Sequence, residues 1–168
     1  MNAPDRIFLP DIQASPDHRQ LSIQQVGVKG LRYPFSLLDG AGMPHPTIAT
    51  LAMTVGLPPE VKGTHMSRFV ELLERPREAL SLRDLRQMFA DMLRHLQADS
   101  GRIEIRFPYF IRKQAPVSGV SSLLDMDAGI DVSSVAGGPV QMAVQVTVPV
   151  TSLCPCSKKI SAYGAHNQ

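Results

Sequence analysis

The chain has no run of about 18 apolar residues, the length a membrane-crossing helix needs, so no membrane partner is expected. It has little net charge: 17 Lys and Arg against 15 Asp and Glu leave +2. That surplus is too small to argue for nucleic acid or an anionic bilayer, although an anionic small molecule would need only a local basic patch. Cysteine is scarce. The two present, Cys154 and Cys156, stand two apart, a spacing that gives poor disulfide geometry. The opening MNAPDRIFLPDIQASPDHRQ has charge and proline where a secretory signal would have an apolar core. The chain therefore reads as cytoplasmic. In a reducing compartment, a thiol pair near a histidine leans toward metal binding or catalysis.

What is present is a globular composition, with 43% apolar and 19% charged residues over 168 positions. That is enough for one ordinary domain with a real core. Residues 1–20 read as an arm, with Pro4, Pro10 and Pro16 and little periodicity. LSIQQVGVKGLRY is strand-like, with Gly27 and Gly30 marking a bulge or bend, and residues 37–46 read as a loop. Ala49, Leu51, Met53, Val55 and Leu57 alternate onto one strand face.

Two helices follow. Met66, Phe69, Val70 and Leu73 form the apolar stripe of the first, which Pro76 closes. The second opens with capping-box spacing at Ser81 and Asp84 and buries Leu82, Leu85, Phe89, Met92 and Leu96. Strands return at Ile103, Ile105, Phe107 and Ile111, with Arg102, Arg106 and Arg112 on the opposite face. A long connection that could extend as a hairpin follows. The strongest strand is the last, in which Val140, Met142, Val144, Val146, Val148 and Val150 share a face. The order strand-strand-helix-helix-strand-strand predicts an α+β fold, an antiparallel sheet with both helices packed on one face. Its open edges favour oligomerisation.

Two segments could carry chemistry. Cys154-Pro155-Cys156 with His166 offers thiolate and imidazole, good ligands for zinc, iron or manganese. A catalytic site needs about three protein ligands, so one more, a carboxylate for example, would come from elsewhere. On motif chemistry alone these residues divide evenly between ligands and bystanders. The second segment is Lys62-Gly63-Thr64-His65-Met66-Ser67-Arg68, at a strand-to-helix junction. Thr64 reads as a helix N-cap, and Lys62, His65 and Arg68 add donors around a helix start, an arrangement that suits phosphate. The commoner case is a capped helix with solvated charges. Lys158 and Lys159 could neutralise a polyphosphate but are more often solvated. His45 reads as a loop residue and His95 as an exposed helix position.

VGVKGLRYPF, KGTHMSRFVELL, PVSG and TSLCPCSKKISAYGAHNQ together resemble the type IB GTP cyclohydrolases, from about Asp11 onward. The resemblance implies the tunnelling fold. It also implies conversion of GTP and water to 7,8-dihydroneopterin triphosphate and formate, the entry to tetrahydrofolate and, in bacteria, to queuosine precursors. By resemblance Cys154 and His166 would be metal ligands and Cys156 an active-site thiol. The cofactor would be a divalent Mn, Fe or Zn ion, and the assembly a homo-oligomer, with a tetramer favoured. Lys62, Thr64, His65, Ser67 and Arg68 would line the triphosphate end of the pocket.

The departure is length. Family members carry two such modules, and residues 21–150 supply one, with 151–168 leading toward a second. The family's carboxylate ligand and its guanine-anchoring glutamate would lie in that second module. Glu60, Glu71 and Glu104 are available here without a spacing argument for any of them. The chain alone is therefore expected to be weakly active or inactive. Two alternatives are a non-catalytic nucleotide- or pterin-binding or assembly module, and a nitrile reductase of related fold with a cysteine nucleophile. KGTHMSRF and AYGAHNQ argue against the latter.

Overall fold

A computed structural model describes residues 18–75, 78–115, 118–150, 152–153, 155–159 and 165–166, with backbone only at 152, 153, 157, 165 and 166. Its centre is a five-stranded antiparallel meander in the order β1-β2-β3-β4-β5. The strands are β1 (Ile23–Leu38), β2 (Pro44–Leu57), β3 (Gly101–Gln114), β4 (Ser121–Ser134) and β5 (Gln141–Thr147). Helices α1 (Ser67–Leu73) and α2 (Leu82–Leu96) lie between β2 and β3 in the chain. The α+β fold with helices on one sheet face is as the sequence predicts.

The period-2 pattern of β2 sets the core. Ala49, Leu51, Met53 and Val55 are essentially inaccessible, and Ile105 and Ile103 oppose Leu51 and Met53 from β3. Val132 and Ile130 continue the same face on β4. The helices close over it with Phe69 and Leu72 from α1 and Leu85, Met88, Phe89 and Met92 from α2. Full burial of each of these large side chains contributes roughly 1.5–3 kcal/mol.

Ser81 caps α2 as expected: its Oγ accepts from Asp84 N, and Asp84 Oδ2 accepts from Ser81 N at 2.8 Å. The helix ends at Gln97 in the left-handed conformation (φ 52°), ahead of the Asp99-Ser100-Gly101 cluster. Gly27 is required where it stands. A Cβ there would lie 2.0 Å from the carbonyl oxygen of Met53.

Several expectations need correction. β1 and β2 run into the expected loop, leaving only Asp39–Met43 between them. The α1 stripe is turned: Leu72 is buried, whereas Met66 and Val70 are exposed. Leu82, the first residue of α2, is exposed, and Met88 is buried. The connection after β3 does extend as a hairpin, with β4 as its second strand. β5 forms but is shorter than the expected strand, covering Gln141–Thr147 and leaving out Val140, Val148 and Val150; at a sheet edge, its Val144 and Val146 remain more than half exposed.

Beyond β5, β6 (Ser152–Leu153) pairs with β7 (Ala165–His166), and a short helix, α3 (Pro155–Lys158), lies between them in the chain. No helix among the described residues is long and apolar enough to cross a membrane.

Candidate functional site

The β2–α1 junction carries the basic segment. A turn closes after β2 with Val61 N donating to Pro58 O, and α1 starts with Arg68 N donating to His65 O and Phe69 N to Met66 O. Thr64 is not the N-cap. Met66 holds that position in helical conformation, without a side-chain cap. Thr64 is instead buried, at 8% exposure. Lys62 and Ser67 are exposed, and His65 and Arg68 half-buried, so the segment presents cationic and hydroxyl donors at the surface of one short stretch. Phe69, fully buried beside it, anchors the stretch to the core.

The C-terminal half is built differently. β6 and β7 pair antiparallel, with Ser152 opposite His166 and Leu153 opposite Ala165. This brings the residue before Cys154 level with the residue before His166. Cys154 itself lies outside the described residues. Cys156 is a free, exposed thiol in α3, and Lys158 and Lys159 are exposed on and just after the same helix. Among the described residues β7 contacts both β6 and α3, and none of the three has extensive contact with α1.

Does the donor set suit a metal? Thiolate and imidazole are apt ligands for a zinc-class ion, but two donors fill only half of a four-coordinate sphere. Among the described residues no three His, Cys, Asp or Glu side chains converge. The spare glutamates do not complete the set. Glu71 Oε2 lies 3.2 Å from His95 Nε2, and Glu104 Oε1 pairs with Arg102 at 3.0 Å. Glu60 is exposed in the turn after β2. The residues fit half a metal site.

Two of the arginines on the open face of β3, Arg102 and Arg106, have structural partners. Arg102 Nε donates to Asp131 Oδ2 at 2.7 Å, and that bond, with the nearby carboxylate charge, raises its already high pKa. Arg106 lies across Gly129, where a Cβ would meet its side chain.

Sequence reasoning passed over two histidines. His95, taken as a bare exposed position, links α2 to α1 through Glu71. His45, taken as a loop residue, sits in β2. Its Nε2 lies 3.1 Å from Asp39 Oδ2, and its ring is 5.0 Å from that of Tyr109. Asp39 also accepts from Ala41 N and Met43 N, each at 2.8 Å. The amide of Met43 and then His45 hold its carboxyl below the usual carboxylate range. An aspartate preceding a Gly-containing turn was the available signal.

A family model described as type I GTP cyclohydrolase folE2 matches residues 9–168. The chain is 64% identical over all 168 residues to GTP cyclohydrolase FolE2 1 of Dechloromonas aromatica (strain RCB), covering 63% of that protein. It is 56% identical over 160 residues to GTP cyclohydrolase FolE2 of Cupriavidus necator, covering 95% of this chain and 59% of that one. With GTP cyclohydrolase FolE2 of Janthinobacterium sp. (strain Marseille) it shares 53% identity over 165 residues, 98% of this chain and 61% of the relative. The chain thus spans about three-fifths of the length of these relatives.

Proposed function

The chain belongs to the type I GTP cyclohydrolase FolE2 family, and from that premise we propose that it serves in a metal-dependent cyclohydrolase acting on GTP. The products are 7,8-dihydroneopterin triphosphate and formate, at the entry to tetrahydrofolate synthesis. The observation that carries this reading is the 64% identity to a FolE2 protein along the whole chain, both candidate segments included.

The roles follow from side-chain chemistry. Lys62, His65 and Arg68 supply charge to the triphosphate, and Thr64 and Ser67 supply hydroxyl donors. Cys154 and His166 would hold a divalent Mn, Fe or Zn ion, and Cys156 would stand beside the reacting ring. Such an ion, when bound, supplies Lewis acidity and brings water ionisation toward neutral pH, which suits hydrolytic opening of the imidazole ring at C8. The β6–β7 register supports the ligand pair to this extent: it sets Ser152 opposite His166 and Leu153 opposite Ala165, so the strand that leads to Cys154 runs beside His166.

The third ligand, a carboxylate, and the group that reads the guanine edge belong in this proposal to the two-fifths of the relatives' length that this chain does not span. Residues 21–150 then form one module and 151–168 lead toward another. Its thiol ligand and nucleotide substrate suit a reducing cytoplasm, and its open sheet edges suit a homo-oligomer, a tetramer by the family's pattern.

The test incubates a chain extended to the relatives' length with GTP and Mn²⁺, then reads neopterin fluorescence after oxidation and dephosphorylation. Absence of signal from that longer chain refutes the cyclohydrolase reading. A second reading, a non-catalytic nucleotide-binding module, is favoured by the half-complete donor set. It requires that the longer chain also bind GTP without turnover.

A further inference from the structure

Helix α1 depends on its neighbours for its placement. It has seven residues, no side-chain cap and no acidic residue in its first turn. A helix of fewer than about 12 residues is marginal in water by itself. Phe69, Leu72 and Leu73 seat its inner face on the core. Apolar burial is non-directional, and polar links add the direction.

Three such links reach α1 and its C-terminal end. From β1, Tyr33 Oη donates to Glu74 Oε1 at 2.9 Å. From α2, His95 Nε2 lies 3.2 Å from Glu71 Oε2, and Asp91 Oδ2 lies 3.7 Å from Arg75 Nη1. Glu71 and Arg75 stand four residues apart, as do Asp91 and His95, so the last two links are rungs between antiparallel segments. Acid and base change places from one rung to the next. The rungs are unequal. Asp91 also accepts from Arg94 at 2.7 Å and from Gln87 at 3.0 Å, and Arg75 shares it at longer range. Glu71 has His95 as its one side-chain partner among the described residues.

Glu71 matters because of what precedes it. Arg68 stands three residues before it and Ser67 four, the spacings at which helix side chains are neighbours. Both belong to the stretch proposed above for the triphosphate. A carboxylate three residues beyond an arginine can pair with it and take up its charge. Here Glu71 is engaged by His95 instead, and Arg68 has no ion-pair partner among the described residues. An anion at this stretch therefore meets Arg68 with its charge uncompensated, on a turn that is tied to α2.

We infer that His95 is a positioning residue for the triphosphate: by engaging Glu71 it ties the first turn of α1 to α2 and leaves Arg68 to the anion. The inference rests on the cyclohydrolase reading for the identity of the anion, and on the contacts between α1 and α2 for the rest.

The test uses the chain extended to the relatives' length. Binding of inorganic triphosphate is measured by calorimetry beside turnover of GTP. His95→Ala should weaken triphosphate binding and raise KM for GTP roughly two- to fivefold, the reach of a partly exposed ion pair, with kcat unchanged. His95→Gln, which still offers an N–H to the carboxylate, should stay close to the parent. The deciding variant combines His95→Ala with Glu71→Gln. With no carboxylate left to compete for Arg68, most of the lost affinity should return. Melting curves check that the variants are equally folded. Unchanged triphosphate affinity in His95→Ala overturns the inference. So does a loss that persists in the combined variant, which would give His95 a packing role alone, and so does a parent that binds no triphosphate. A parent that binds triphosphate without turning over GTP sinks the cyclohydrolase reading instead, and the calorimetric comparison of the variants still decides the role of His95.

Discussion

Asp39 and His45 hold the β1–β2 turn together from its two ends. One carboxylate oxygen of Asp39 accepts the amides of Ala41 and Met43, and the other lies 3.1 Å from the His45 ring. The carboxylate adds to the backbone bonds that close the turn, from Asp39 N to Met43 O and from Gly42 N to Asp39 O, and these contacts favour its ionised form.

A pH dependence follows. The folded-state pKa of Asp39 is lowered from 3.8, so the folded protein binds this proton less readily than the unfolded chain. Its stabilisation is complete above about pH 4 and is lost as pH falls through the lowered value. Asp39→Asn should lower the melting temperature at pH 7, and the gap to the parent should narrow as pH falls below 3.8. A gap that stays constant across this range would show that the charge is not what matters.

The α2 cap gives a stability prediction. Ser81→Ala removes the acceptor for the Asp84 amide and one arm of the reciprocal box. The expected cost is about 1 kcal/mol in urea unfolding, with an unchanged slope. Phe89→Ala, which empties a fully buried position between helix and sheet, should cost about 3–5 kcal/mol.

For the proposed triphosphate site, Lys62→Ala is the informative change because Lys62 is exposed and its loss should not disturb folding. In a chain of the relatives' full length it should raise KM for GTP roughly tenfold and leave kcat nearly unchanged, as loss of uniform binding does. An unaltered KM would remove Lys62 from the site.

For the proposed metal, Cys154→Ala or His166→Ala in that longer chain should each weaken Mn²⁺ binding by more than roughly a hundredfold, read by metal content after dialysis as well as by turnover. The 168-residue chain should retain metal poorly even with both residues present. Tight stoichiometric metal in this chain alone would mean that the third ligand lies within it.

Much of the fold was legible because β2, α2 and the start of β3 carry their periodicity on residues that are in fact buried. β4 showed only as a connection that could extend as a hairpin, for a physical reason. Leu124, Met126, Ala128, Ile130 and Val132 alternate cleanly, but their neighbours Asp125, Asp127, Gly129 and Asp131 read as turn formers. Across the strand those residues have partners: Arg102 takes Asp131, and Arg106 needs the space over Gly129. A single strand does not display the strand beside it. The valines of β5 misled in the opposite sense, because an apolar face says that cover is wanted and not that the chain supplies it. At the candidate site the sequence names two segments and their donors, but which element each one contacts does not show in it. Thr64 looked like a cap because hydroxyls usually are at such junctions, but here the helix begins later, with Met66 at the N-cap position.

The meander has a consequence for how the protein is made. Every strand pairs with its neighbour in sequence, and the one long excursion, from β2 to β3, is filled by the two helices that cover their shared face. No strand has to wait for a distant later segment. Contacts formed in the order of synthesis are then already the final ones, so the sheet can be laid down strand by strand as the chain leaves the ribosome, with the apolar side of each new hairpin exposed only until the next element arrives.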